Sequence, residues 1–423
     1  MIHKNILVIL LLAFIFRTSV VFWGYHGDLN NNISWGTLAY ERGLNGFYGS
    51  SDARNWPYSA PNQPPLTLLL FTGLRALWIG VNNSILSLNT HIPLFPSKLV
   101  WFWESKGMIL LVKLPSIVAD LLIGCIIYDF TKRILKNKKK ALYLFCLWLF
   151  NPLVWYNSSI WGQTDSIVNL LGLIAVISLL DKKIIRSVFF LTLSLLFKGS
   201  LTIFLPIFFV IALKQGHSVK KLFLSAIYAL VLVLVSSVWF HPYLDLPIWL
   251  INLYKDRIMP GEIGYLTANA FNMWYLVSPD KTSDYMTIFG LSARTIGFII
   301  FGGLYTAILL KIRKYSGNYM VLFSLSLVAL ASFLFITRMH ERYLYPFFPY
   351  ATFVLAILPQ ITVGFVLLSV IHLFNLYNLF WVPSFPALEA IMKNSNYPIA
   401  FSIITLAVFF NFLYIFLRQK SPA

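Results

Sequence analysis

The sequence predicts an all-α polytopic membrane protein, and two features of its composition lead to that fold class. Of its 423 residues, 58% are hydrophobic and only 11% are charged. A soluble domain carries roughly 25% charged residues to cover its surface, so much of this surface is expected to face lipid. Apolar runs of roughly 20 residues, which is the length that crosses a bilayer, recur along the chain.

The net charge of +18 indicates membrane topology and not nucleic-acid binding. The Lys and Arg residues gather in short segments beside apolar runs, at 132–140, 182–186, 214–221, 311–314 and 418–420. Such clusters set the cytoplasmic side of a membrane protein. No basic stripe is interleaved with aromatic residues, as a groove for single-stranded nucleic acid would require. We therefore expect membrane lipids, and no nucleic acid, among the partners.

Placing the basic segments in the cytoplasm predicts about twelve transmembrane helices in the plasma (inner) membrane, with both termini inside. A pair of short helices within 187–213 is expected to meet near Lys198, because a single pass would place one flanking basic loop outside. The apolar stretch 65–81 is expected to lie at the interface, with Arg75 among the headgroups. The other predicted spans are 5–24, 108–130, 141–157, 165–180, 219–239, 287–311, 318–336, 344–358, 361–381 and 398–418.

Acidic residues are concentrated in the segments predicted to be exterior. The predicted cytoplasmic segments contain only Asp129 and Asp181 of the 15 acids, so chemistry is expected on the exterior face. Cys125 and Cys146 lie in apolar runs, without the spacing of a metal site or a disulfide framework, and are expected to be packing residues.

Asp28 directly follows the first predicted span, in a His-Gly-Asp sequence among aromatic residues. A carboxylate at that membrane boundary is partly desolvated, which would raise the pKa of Asp28 and make it a stronger general base. The alternative is an ordinary Asp that caps a helix beginning near Leu29. The same exterior segment continues through Tyr58 and Gln63 to a Pro-Pro turn.

The segment Trp161-Gly162-Gln163-Thr164-Asp165 precedes another predicted span. Asp165 would either cap that span or face a substrate pocket. Arg17 and Lys198 are predicted to lie within the membrane, where a charge is costly, and both are therefore functional candidates. Lys198 would bind phosphate or form an ion pair with Asp120 or Asp165.

The segment 337–346 places four ionisable residues within five positions at the end of a predicted span, namely Arg338, His340, Glu341 and Arg342. Placement of long cationic side chains at an interface would explain the two Arg residues but not the interleaved His and Glu. A phosphate site would use Arg and His as donors and Glu to orient them. Asn269 and Asn272, beside Trp274, would either belong to a structural interfacial helix or bind sugar hydroxyls.

In this order the motifs resemble the GT-C superfamily, whose members are polyprenyl-phosphate-sugar-dependent glycosyltransferases. The segment 339–343, Met-His-Glu-Arg-Tyr, is similar to a motif of bacterial members and to the His-Glu-Lys motif of eukaryotic dolichyl-phosphoglucose-dependent glucosyltransferases. The segment 268–274 is similar to the Ala-Asn-Phe-Trp region of those glucosyltransferases, without the acidic-basic pair that precedes it there. The resemblance also rests on Gly27-Asp28, the Pro-Pro-Leu turn at 64–66, Lys113 to Ser116, the Trp-Gly-Gln-x-Asp at 161–165, and Lys198, which Gly199 follows where relatives have Pro.

The resemblance covers nearly the whole chain and implies one continuous GT-C-like bundle. It would have a conserved module at 1–240, with juxtamembrane helices in the exterior loop 25–107, and a variable module at 241–423, with an exterior loop at 241–286. Asp28 would be the catalytic base for transfer of a hexose to a lipid-linked glycan, glycolipid or cell-envelope polymer. The donor phosphate would be bound by Arg338, His340, Lys198 and Arg342, and the substrates by Asp165, Gln163, Trp161, Glu341, Asn269, Asn272, Tyr58 and Gln63. No cofactor is firmly expected, and a divalent ion shared by Asp28 and Asp165 stays open, because no ligand spacing demands one.

Two other classes remain as alternatives. A flippase or transporter of lipid-linked saccharides would need substrate groups near the bilayer midplane and commonly has inverted repeats, whereas the acids and amides here gather on one face. An oligosaccharyltransferase-like enzyme would normally carry a large exterior peptide-binding domain, and the longest predicted exterior segment is only 25–107.

Overall fold

The computed structural model describes residues 4–49, 53–258, 263–394 and 396–419. The structure is 75% helical, and its strands within these ranges are only two residues long. The all-α fold class is confirmed by this content. Lys420, in the last basic segment, lies outside the described residues.

The amino-terminal half of the chain folds into eleven helices in its described ranges. They are α1 (Lys4–Ser19), α2 (Gly27–Arg42), α3 (Pro65–His91), α4 (Ser97–Phe102), α5 (Met108–Leu135), α6 (Lys138–Leu149), α7 (Pro152–Trp155), α8 (Asp165–Leu180), α9 (Ile184–Phe197), α10 (Leu205–Lys214) and α11 (Val219–Ser237). A π-helical segment (Trp103–Gly107) joins α4 to α5, and a second one (Tyr156–Trp161) continues α7.

The carboxy-terminal half adds eight helices and two small sheets in its described ranges. The helices are α12 (Leu246–Leu253), α13 (Met273–Val277), α14 (Ala293–Lys314), α15 (Asn318–Phe335), α16 (Phe347–Val354), α17 (Thr362–Phe380), α18 (Pro386–Met392) and α19 (Asn396–Arg418). Strand β1 (Thr267–Ala268) pairs in parallel with β4 (Met339–His340). Strands β2 (Thr287–Ile288) and β3 (Leu291–Ser292) form an antiparallel hairpin.

Seven helical stretches in the described part of the chain are long and apolar enough to cross a membrane. They are Pro65–His91, Ser97–Leu135, Val219–Ser237, Ala293–Lys314, Asn318–Phe335, Pro359–Phe380 and Asn396–Arg418. Shorter apolar helices lie at Asn5–Ser19, Asp165–Leu180, Ile184–Phe197 and Gly199–Lys214. These helices support a membrane-associated protein, and the number of twelve spans stays a prediction.

Several element boundaries differ from the predicted spans. The predicted pair of short helices is present, because α9 ends at Phe197 and a 3-10 turn begins at Gly199. The predicted span 141–157 is interrupted, since α6 ends at Leu149 and Pro152 starts a new helix at a position where its missing N–H costs nothing. The predicted span 344–358 contains only the eight residues of α16. Helix α3 extends beyond the stretch 65–81, and its interfacial position stays a prediction.

Helix α15 forms the centre of the bundle. Every residue from Tyr319 to Phe335 is buried, and α14, α16 and α19 pack around it. A helix that is apolar on all sides is expected at such a buried position. Because α15 ends at Phe335, it places the segment 337–343 at the end of the bundle where β1 pairs with β4.

Candidate functional site

Asp28 lies in the first turn of α2, but it does not cap that helix. The cap is His26, whose Nδ1 accepts the Asp28 amide at 3.0 Å. The helix therefore begins at Gly27, and the alternative in which Asp28 is the capping residue is wrong. The Asp28 side chain is 33% exposed, so a substrate has access to it.

The carboxylate of Asp28 is held through one of its two oxygens. Its Oδ2 accepts hydrogen bonds from Gln163 Nε2 and, at 3.3 Å, from Trp161 Nε1. Nη2 of Arg342 lies 3.8 Å from the same Oδ2. Among the described residues, no hydrogen bond goes to Oδ1 of Asp28. That oxygen is therefore the one that a substrate hydroxyl would meet.

The predicted rise in the pKa of Asp28 is wrong. Burial alone would raise this pKa, as the aromatic setting suggested. The neighbouring His26, the charge of Arg342 and the Trp161 indole outweigh burial and hold the pKa of Asp28 well below its usual range. Asp28 is consequently ionised at physiological pH, which is the state that a general base requires.

Trp161 and Gln163 position Asp28 and are not arranged as sugar-binding side chains. Trp161 is fully buried, and its indole lies against the His26 ring with centroids 4.3 Å apart, so neither ring face of the indole is open to a sugar. Gln163 is 7% exposed and directs its amide to Asp28. Both side chains were predicted to contact the substrate, and in the structure they contact Asp28 instead.

Lys113, on α5, ties together the two chain segments that carry these residues. Its fully buried ammonium donates to the carbonyl oxygens of Val21 at 2.7 Å, Gly24 at 2.8 Å and Ile160 at 2.8 Å. An ammonium has three N–H donors, so all of them are used. The segment before α2 is thereby fixed to the segment before α8.

A second contact from α5 completes this arrangement. Ser116 Oγ, one turn after Lys113, donates to the Gln163 carbonyl at 2.6 Å.

Gly162 has a φ of +86°, a left-handed conformation that glycine adopts without a steric penalty. That turn directs both the indole of Trp161 and the amide of Gln163 toward Asp28.

Asp165 and Lys198 form a buried ion pair. Lys198 Nζ lies 2.7 Å from Asp165 Oδ1, with the side chains 15% and 7% exposed. Of the partners considered for Lys198, Asp165 is thus the one observed, while Asp120 pairs with Arg17 at 3.6 Å. Asp165 is not the capping residue of α8, since that position belongs to Thr164.

Arg342 connects this ion pair with Asp28. Its Nη1 donates to Glu341 Oε1 at 2.7 Å, whereas its buried Nε has no hydrogen-bond partner in the described part of the chain. Both cations lie near the Tyr343 ring, whose centre is 5.6 Å from the Arg342 guanidinium and 5.5 Å from Lys198 Nζ. Arg342, Lys198 and Asp28 therefore meet in one site, although they come from distant parts of the sequence.

His340 belongs to the same site but is uncharged. Burial, together with the charges of Arg342 and Lys198, lowers the pKa of His340 to about 3. At neutral pH its ring can donate or accept a hydrogen bond, but it adds no positive charge. The predicted role of His340 as a hydrogen-bond donor to phosphate would therefore be that of a neutral ring, and it stays a prediction.

Arg338 is committed to a different partner. Its Nε and Nη2 lie 2.7 and 3.1 Å from the two oxygens of Asp284, which is fully buried and also accepts from Thr337 at 3.2 Å. This paired contact fastens the segment before α14 to the end of α15. The sequence did not predict that Asp284 pairs with Arg338, because a single Asp in a loop forms no recognisable pattern. The observed contacts do not bring Arg338 to Asp28.

The remaining predicted substrate residues lie at the edge of the site or support the fold. Asn272 is fully buried, caps α13 and donates to a backbone carbonyl of α15. Asn269 is exposed and forms a β-bridge with His340, so it lies beside the site. Tyr58 is 57% exposed, and the observed contact of Gln63 is made by its backbone carbonyl.

A divalent ion shared by Asp28 and Asp165 gains no support from this arrangement. Lys198 already neutralises Asp165, and Asp28 is bound by Gln163 and Trp161. Within the described ranges, no three His, Cys, Asp or Glu side chains form a group that could hold a metal ion.

No protein-family model matches the chain, and a comparison with curated proteins finds no match. The functional argument therefore rests on the site geometry and the motifs.

Proposed function

We propose that the chain is an inverting glycosyltransferase that moves a hexose from a polyprenyl-phosphate donor to a hydroxyl group. The acceptor would be a lipid-linked glycan, a glycolipid or a cell-envelope polymer. The observation that carries the proposal is the convergence of one ionised carboxylate, Asp28, with two cations, Arg342 and Lys198. The order of motifs that resembles the GT-C superfamily supports the same reaction.

The cations suit a lipid-phosphate leaving group. That group departs as a phosphate anion, so it needs positive charge and hydrogen-bond donors and no general acid. Nε of Arg342 is buried and has no hydrogen-bond partner among the described residues, so a phosphate oxygen that reaches it would satisfy that donor. Lys198 uses one of its three N–H groups on Asp165. Because negative charge grows on the phosphate during bond cleavage, these donors would bind the transition state more tightly than the ground state.

Asp28 would act as the general base. Its Oδ1 takes the proton of the acceptor hydroxyl, and the oxygen attacks the anomeric carbon from the face opposite the phosphate. The bond between that carbon and the phosphate oxygen breaks, and the polyprenyl phosphate leaves with both electrons. A single displacement of this kind inverts the configuration and needs one carboxylate, unlike glycoside hydrolysis, which uses two.

Donor binding would also make Asp28 a stronger base. In the free protein the charge of Arg342 helps to lower the pKa of Asp28. A phosphate bound at Arg342 and Lys198 offsets that positive charge, so the pKa of Asp28 rises once the donor is in place. Proton transfer is favoured when the pKa of the base approaches the working pH, and the base would therefore gain strength in the presence of its substrate.

The proposal is tested by incubating the purified protein with a panel of radiolabelled polyprenyl-phosphate hexoses and an extract of envelope glycolipids. We expect one labelled hexose to leave its lipid and to appear in an acceptor with inverted anomeric configuration, and Asp28→Asn to slow this transfer by roughly 10²–10⁴. Retention of every label on its lipid would contradict the proposal. Movement of labelled lipid across a vesicle membrane without transfer would favour the flippase alternative.

A further inference from the structure

A cavity of about 950 Å³ lies between the carboxy-terminal ends of α14 and α19. Helix α15 runs from the end of the bundle with this cavity to the end with the candidate site. It begins at Asn318, shortly after α14 ends, and it finishes at Phe335, next to the segment 337–343. The cavity is therefore at the opposite end of the bundle from Asp28. Its lining consists of basic residues, one Tyr and apolar residues.

Three cations line this cavity without a carboxylate partner among the described residues. They are Lys311, Lys314 and Arg418, and none of the ion pairs found among the described residues includes any of them. Lys311 and Lys314 instead lie 4.8 and 5.4 Å from the centre of the Tyr315 ring. Their positive charge is therefore available to a bound anion.

Basic residues at the ends of membrane helices often do no more than set orientation, but this arrangement has two further features. Lys311 donates to the carbonyl of Leu417 at 2.6 Å, so its side chain crosses from α14 to the last turn of α19. The wall beside the cations is apolar and exposed, with Leu310 60% and Leu417 43% exposed. Both flanking helices are also long and apolar enough to cross a membrane.

We propose that this cavity binds the headgroup of an anionic glycerophospholipid, in the leaflet opposite the candidate site. The lipid phosphate would lie between Lys314 and Arg418, and an acyl chain would follow Leu310 and Leu417 into the bilayer. Basic pockets between membrane helices bind anionic headgroups in this way. The cavity volume and its open apolar wall fit a headgroup with its chains better than a free anion. This site is independent of the proposed glycosyl transfer.

The test measures lipid binding by native mass spectrometry and by the thermal stability of the full-length protein in a neutral detergent. Phosphatidylglycerol is titrated against phosphatidylcholine. The variant combines Lys314→Gln with Arg418→Gln, and the control combines Lys220→Gln with Lys221→Gln. The control removes the same charge from exposed residues that begin α11.

The control residues lie at the same end of the bundle as the cavity. This follows because Lys214, at the end of α10, donates to the carbonyl oxygens of Ile312 and Arg313 in α14. Any general effect of cationic charge on anionic lipid should therefore affect both double variants equally. Only a site between α14 and α19 predicts a difference.

We expect the wild type to prefer phosphatidylglycerol, and the Lys314/Arg418 variant to bind it on the order of 10-fold or more weakly, because two basic contacts are lost. The control should bind as the wild type does, and the exchange Lys314→Arg with Arg418→Lys should retain binding. Equal loss in both double variants, or equal binding of phosphatidylcholine, would overturn the site. Inorganic phosphate that displaces the lipid at equal concentration would show a free-anion site instead. If the double variant does not fold, the two single variants give the same comparison.

Discussion

Nη2 of Arg342 lies 3.8 Å from Oδ2 of Asp28, which brings the segment after α15 against the first turn of α2. The separation is too long for a hydrogen bond but short enough for a strong electrostatic effect. Arg342 would thus act on both the general base, Asp28, and the phosphate of the donor. With His26, its charge helps to keep Asp28 ionised in the free protein, and it would bind the phosphate of the donor.

The two Arg residues of the segment 337–343 should respond differently to mutation. Arg342→Gln should weaken binding of a polyprenyl-phosphate sugar by about 2–5 kcal/mol, because a desolvated charge partner of the phosphate is lost. Calorimetric or competition binding measures this. Arg338→Gln is the matched control: it should leave donor affinity close to wild type but lower the thermal stability, since it breaks the contact with buried Asp284. Equal donor affinity in the two variants would contradict the assignment.

The pH dependence should reveal how the donor changes Asp28. The base acts when deprotonated, so activity falls as the pH drops through its pKa. The acid limb of kcat/KM reports the free enzyme, where the pKa of Asp28 is lowered. The acid limb of kcat reports the donor complex and should lie at higher pH, because bound phosphate offsets Arg342. Arg342→Gln should move the kcat/KM limb upward. Coincident limbs in the wild type would rule out this coupling.

Lys113 should support both stability and the geometry of Asp28. Lys113→Met leaves three buried carbonyl oxygens without their donor, and each such group costs roughly 1–3 kcal/mol. We expect a lower thermal midpoint and, in the folded fraction, a lower kcat with little change in donor affinity, since Lys113 contacts backbone before Asp28 and not the cations. Lys106→Met, at an exposed position before α5, is the control. A fall in donor affinity equal to the fall in kcat would argue against positioning.

Local pattern and charge were enough to predict the fold class and the helix junction at Lys198. They also singled out Asp28 and Arg342 as candidate site residues, because ionisable residues at the ends of apolar runs stand out. The sign of the Asp28 pKa shift could not be predicted, since it depends on how His26, Arg342 and Trp161 are placed around the carboxylate, and two of these residues are distant from Asp28 in the sequence. Sequence also could not distinguish Arg338 from Arg342. The contacts of Lys113 were hidden because its partners are backbone carbonyls, which leave no complementary side chain to recognise.

The most direct test of the proposed reaction is the turnover of Asp28→Asn with a verified donor and acceptor. The substitution keeps the shape of the side chain but removes the charge that accepts the proton. Turnover should fall by roughly 10²–10⁴, the usual contribution of a general base, while donor affinity stays close to wild type. Asp245→Asn, at an exposed Asp that pairs with His241, serves as the control and should keep full activity. Near-normal transfer by well-folded Asp28→Asn would contradict the account.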